Sequence, residues 1–132
     1  MATIEMRDVS PGGHLLSGAT VEGLPDRASL RDILATRVHA EVAAYNVEPG
    51  SRYQGLVQPE DAIRYSDGFR MPTPRPLDAE HLLLAVEEAV TAGVVLFRIG
   101  ETTVSDLDHE VVVADEASIT TVLRRPIVAR SH

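Results

Sequence analysis

Five histidines, His14, His39, His81, His109 and His132, are the side chains best placed by type for proton transfer or metal ligation near neutral pH. They fall in different stretches of the chain, and no His-x-x-x-His or His-Glu-x-x-His spacing joins any two. The densest donor cluster is Asp106, Asp108, His109 and Glu110, whose oxygens and imidazole suit a hard cation or zinc. Adjacent side chains on one loop seldom converge on an ion, so the expectation there is a solvated turn without metal. Ser10 and Ser118 have no base near them in sequence, and no Gly-x-Ser-x-Gly occurs. Gly12-Gly13 is a lone pair that suits a hairpin turn better than a phosphate loop, and Glu87-Glu88 suits a solvated helix surface. The residue types thus offer no catalytic set and no cofactor motif, and the chain reads as a non-enzyme.

Composition narrows the remaining classes. A length of 132 residues is that of a single domain, and a domain of this size buries about two-thirds of its unfolded surface. Aromatics make up only 4% and Trp is absent, so the core must be built from Val, Leu, Ile and Ala. The lack of cysteine removes disulfides, thiolate nucleophiles and Cys-based metal sites together, and fits a reducing cytoplasm. No apolar run approaches ~18 residues and no signal-peptide pattern opens the chain, so neither a membrane partner nor export is expected. A net charge of −8 repels phosphate backbones, and the only basic doublet is Arg124-Arg125, so nucleic acid is not expected either. All 12 basic residues are Arg and none is Lys, which fits a GC-rich bacterial genome or a protein kept free of side-chain amines.

Periodicity supplies the elements. Thr3 to Val9 alternates, with Ile4 and Met6 on one face and Glu5 and Arg7 on the other. Ser10-Pro11-Gly12-Gly13 turns the chain, and Leu15 to Glu22 returns as the second arm of a hairpin, with a bulge signal at Ser17-Gly18-Ala19. Ser29 and Asp32 resemble a capping box, and Leu30, Ile33, Leu34, Val38, Val42 and Tyr45 follow at helical spacing, so a helix is predicted over 29–46. Arg31, Asp32, Arg37 and Glu41 occupy its other, solvated side. Residues 47–77 carry Pro49, Pro59, Pro72, Pro74 and Pro76, which exclude long regular elements; Gln58 to Ile63 suits a helical turn or two. Asp78 caps a second helix with Leu82, Leu83, Val86, Ala89 and Val90 on its buried side, stopped at Gly93. Val94 to Ile99 is a buried strand, Thr102 to Val104 a short one, and Ser118 to Val128 a longer one.

Hairpin, helix, strand, short strand and long strand is the element order of the ubiquitin-like β-grasp fold. Val94-Val95-Leu96-Phe97-Arg98-Ile99-Gly100-Glu101 with Leu107-Asp108 resembles the ubiquitin stretch in which an apolar strand meets a Gly-containing turn and a short return strand, and Ser118-Ile119-Thr120-Thr121-Val122-Leu123-Arg124 resembles its last strand. The stretch from Asp115 to Pro126 is equally similar to the sulfur-carrier branch, and the inserted second helix resembles that of a group of small bacterial proteins. The resemblance covers 1–46 and 94–128 and implies an α+β β-grasp fold: a mixed sheet, one helix across it, and an insertion at about 47–92 within a single domain 1–132. It implies parallel, adjacent first and last strands, and a core in which Leu30, Ile33, Leu34, Val38 and Val42 meet Ile4, Leu96, Val122 and Leu123.

The family's conjugation chemistry does not follow, because its Gly-Gly tail is replaced by Pro126-Ile127-Val128-Ala129-Arg130-Ser131-His132 and no Gly occurs after Gly100. The function expected is a non-catalytic ubiquitin-like module docking onto a larger bacterial protein. The alternative is a modifier or sulfur carrier with an atypical tail, for which the missing lysines speak. No catalytic, cofactor or metal residues are assigned. The expected protein-binding residues are Arg98, Arg124 and Arg125, on the sheet face away from the first helix.

Overall fold

The computed structural model describes residues 2–65, 68–113 and 118–129. The fold is α+β. Its main sheet joins β1 (Ala2–Val9), β2 (Leu15–Leu24), β7 (Val95–Ile99), β8 (Thr102–Val104) and β10 (Ser118–Leu123) in the order β2-β1-β10-β7-β8. The β1–β10 pair is parallel and every other neighbour is antiparallel, so the first strand and the last long one lie side by side as the element order predicts. Three two-stranded ribbons complete the chain: β3 (Arg27–Ser29) with β9 (Glu110–Val112), β4 (Val57–Gln58) with β11 (Ile127–Val128), and the hairpin β5 (Ile63–Tyr65)–β6 (Gly68–Arg70).

The first helix, α1 (Leu30–Val47), starts where the capping signal puts it: the Asp32 N–H donates to the Ser29 hydroxyl at 3.1 Å. The opening N–H groups of a helix lack partners within it. Here Leu30 and Arg31 donate to the carbonyls of His109 and Leu107 at 2.9 and 2.8 Å. The Asp106–Glu110 cluster is therefore a turn whose backbone receives the helix end, and its Asp106 carboxylate accepts from the Asp108 N–H at 2.9 Å. Among the described residues no group of His, Asp and Glu is arranged to hold a metal ion.

The second helix, α2 (Ala79–Thr91), is capped by Asp78 and packs beside α1. Gly93, at φ +73°, ends it in the left-handed conformation that favours glycine and turns the chain straight into β7. One apolar cluster runs through α1, α2, the inner face of the sheet and the segment between the helices. That segment is tied back at both ends. Asn46 clamps Leu77 by two bonds of 2.8 and 2.9 Å, and the Tyr45 hydroxyl donates to the Gly50 carbonyl at 2.6 Å.

Four expectations are corrected. Leu96 and Val122 do not meet the helix. Val95, Phe97 and Ile99 of β7 and Ile119, Thr121 and Leu123 of β10 point inward, and strict alternation turns Leu96 and Val122 to the other face, where they are half-buried. The strand over 118–128 is broken: it stops at Leu123, bends at Arg124 and Arg125, and resumes after Pro126 as β11 in a different ribbon. Proline has no N–H to offer the main ladder, which accounts for the break. The register of β2 shifts at Leu16, one place before the predicted bulge, because Asp8 pairs with Ser17 and Val9 with Leu15, and again between Val21 and Leu24, which pair with Ile4 and Ala2. Pro59 opens a single turn closed by the Ala62 N–H, with no helix.

Candidate functional site

Two concentrations of charge stand out. The first lies inside. Arg37 is 1% exposed, the largest fully buried side chain, although its charge puts it among the expected solvated residues. It sits seven residues after Leu30, four after Ile33 and three after Leu34, so helix geometry turns it inward with them. Its Nη1 and Nη2 donate to the Asp8 carboxylate of β1 at 2.8 and 2.5 Å, and its Nε donates to Glu41 at 3.3 Å. Ser17 of β2 donates to the same Asp8 carboxylate at 2.5 Å, and Glu41 accepts the Leu56 N–H at 3.1 Å. Burial works against the Asp8 charge, but the Arg37 bonds and charge, with Ser17, prevail and hold its pKa below the ordinary 3.8. For Glu41 burial prevails over Arg37 and the Leu56 N–H, and its pKa is raised above the ordinary 4.5. This network joins β1, β2, α1 and the inserted segment. Asp8 and Arg37 are closed to any ligand, so its work is structural.

The second concentration lies on the outer face of the sheet. Arg98 of β7 pairs across the ladder with Thr120 of β10 on one side and with Thr103 of β8 on the other. Thr120 pairs in turn with Arg7 of β1, and Arg7 with Gly18 of β2. Paired residues share a face, so Gly18, Arg7, Thr120, Arg98 and Thr103 form one row across five strands. With adjacent strands ~4.8 Å apart, the two arginines stand roughly 10 Å from each other across Thr120. The parallel row beside it is apolar: Leu15, Val9, Val122 and Leu96 pair in sequence across four strands. Leu15 is 60% exposed, Leu96 and Val122 are half-buried, and Val9 between them is buried.

Arg124 and Arg125 are exposed at the bend that ends β10, where the Arg124 N–H donates to the Val94 carbonyl at 2.9 Å. Arg124 lies four residues beyond Thr120, about 13 Å along the strand from the row of Arg98. The arginine brought beside Arg98 is therefore Arg7. The described ion pairs take up Arg27, Arg31, Arg37 and Arg75; among the described residues Arg7, Arg64, Arg98, Arg124 and Arg125 are left without a carboxylate, and of these Arg7 and Arg98 lie side by side on the sheet. Sequence reasoning passed over Arg7, although it alternates outward with Glu5. The parallel β1–β10 pairing, once combined with that alternation, was the signal that could have found it.

No family model, curated protein or solved structure matches this chain. Function therefore rests on the geometry alone.

One groove competes for the role. It lies between α1 and α2, encloses about 230 Å³, and is lined by Leu34, Ala35, Leu83, Leu84 and Val86, with Arg31 ion-paired to Glu87 across its mouth. That is below the ~300–1,000 Å³ usual for small-molecule sites, and no convergent set of buried polar groups points into it. Among the described residues no helix is long and apolar enough to cross a membrane. The outer face of the sheet combines apolar area with uncommitted charge in two adjoining rows that cross four and five strands.

Proposed function

We propose that the chain is a ubiquitin-like β-grasp domain whose work is to bind a larger bacterial protein through the outer face of its sheet, without catalysis. The strand order, with one parallel pair at the join of β1 and β10 and α1 across the inner face, supports the fold reading. The observation that carries the function is the pairing of two rows: Arg7 and Arg98 flanking Thr120, beside Leu15, Val9, Val122 and Leu96. Guanidinium groups donate to carboxylates in bidentate geometry, and an apolar row gives the adjoining side chains somewhere to lose water. The partner that fits is an acidic segment with an apolar residue between its carboxylates. On a chain of net charge −8 these arginines are a local exception, so they select the register of such a segment more than they attract it from afar.

The alternative, a modifier or sulfur carrier, needs a tail free to enter an activating enzyme. Against it, Ile127 and Val128 pair with Val57 and Gln58, and the Ala129 N–H donates to the Gln58 carbonyl at 2.8 Å, so the chain through Ala129 is engaged in the fold. The test is a comparison of parent with Leu96→Asp, Arg98→Glu, both outward and away from the core, against a partner captured from the native cell. The reading expects binding to weaken at least ~30-fold while the fold is kept, as losing an interface anchor costs ≥ 2 kcal/mol. Equal binding by the folded variant overturns it.

A further inference from the structure

The main sheet ends on one side in β8, three residues long, and on the other in β2, ten residues long. A long free edge presents unpaired backbone N–H and C=O groups, and proteins normally blunt it with Lys, Pro or an inward charge. β2 has none of these: its only charged residue, Glu22, faces outward, and its register shifts fall at its two ends. Between them Ser17, Gly18, Ala19, Thr20 and Val21 form a regular edge of small, uncharged side chains, preceded by Leu15 and Leu16 at 60% and 57% exposure. We propose that this edge pairs antiparallel with the same edge of a second copy, across a two-fold axis at Ala19.

Charge fixes that register. In β1, Arg7 stands beside Gly18 and Glu5 beside Thr20. Glu5 is drawn over β2 by the Thr20 hydroxyl, which donates to its carboxylate at 2.8 Å. Gly18 leaves the flank of Arg7 bare, and any side chain there would come within 3.0 Å of the Met6 carbonyl oxygen. A two-fold at Ala19 sets Gly18 opposite Thr20 of the second copy, so the row of Arg7 continues into the row of the other copy's Glu5, and the reverse holds at the other end. The edge is thus complementary to itself in charge, and a slip of one residue would set the helix-bearing face of one copy beside the outer face of the other. A closed two-fold contact also consumes both edges and so ends in a dimer, not a fibre. The pairing uses the β2 backbone and shares Arg7 and Leu15 with the docking face proposed above, but it is read on the isolated protein, so its failure and the failure of docking are told apart.

Sedimentation equilibrium over a concentration series tests it. The expected weight-average mass rises from 14.3 kDa toward twice that value. Arg7→Glu alone and Glu5→Arg alone place like charges across the axis, and each is expected to associate roughly tenfold or more weakly. Both residues are exposed, so both variants keep the fold. An equimolar mixture of the two variants restores opposite charges at both ends and is expected to dimerise again. A parent monomeric throughout, or variants that associate as the parent does alone and mixed, overturns the proposal.

Discussion

Arg37 of α1 holds Asp8 of β1 by two parallel bonds of 2.8 and 2.5 Å, with both side chains shut off from solvent. A fork of this kind fixes where the helix crosses the sheet, because displacing either element strands a charge in the core. Asp8→Asn is expected to cost about 3–5 kcal/mol, the usual penalty for removing one partner of a buried pair. Urea unfolding gives the value; a loss below ~1 kcal/mol would mean that Arg37 finds water or Glu41 sufficient.

Glu41 contributes to a pH dependence of the opposite sign. Its folded pKa is raised above 4.5, so the stability it contributes is full below that value and is lost as pH rises through the folded pKa. Asp8 behaves conversely: its contribution is present above 3.8 and disappears only as pH falls through its depressed folded value. Glu41→Gln removes the first effect and leaves the second. The stability of the variant relative to the parent should therefore grow as pH rises from 4.5 toward neutrality. A difference that stays flat or shrinks over that range contradicts the assignment.

Alternation in β7 makes a prediction from neighbouring residues. Phe97 is fully buried against the helices and Leu96 faces outward. Phe97→Ala should cost ~3–5 kcal/mol, as an aromatic core truncation does. Leu96→Ala should cost ~1 kcal/mol or less, as a substitution outside the core does. Equal costs would place both residues in the core.

The β-hairpin, both helices and the short β8 strand were legible because their signals are local: alternation, a capping serine and aspartate, and Gly93 and Gly100 at turns; the parallel meeting of the first and last long strands followed only from the resemblance in element order. The four short strands β3, β9, β4 and β11 were not, since two or three residues carry no period and each pairs with a partner far off in sequence. Arg37 and Asp8 were half legible. Periodicity places each on an inward face, but residue type argues for solvent, and only the meeting of the two resolves the conflict. On the candidate surface Arg98 was found by alternation, whereas Arg7 required the register of β1 on β10, which sets it opposite Thr120.

The ribbon β4–β11 links the inserted segment to the end of the described chain, with Ile127 opposite Val57. Deleting residues 126–132 should leave the main sheet folded and expose the Val57–Gln58 backbone, read as faster amide exchange there with little change in β1 and β10. Unchanged protection at Val57 and Gln58 would show that α2 alone holds them.

The most direct test of the docking account is a photo-crosslinking side chain introduced in the native cell at Thr120, between Arg7 and Arg98, and separately at Leu84 on the exposed side of α2. The account predicts a discrete adduct with a larger protein from position 120, abolished by Arg98→Glu, and none from position 84. An adduct from position 84 alone, or no adduct from position 120, would contradict it.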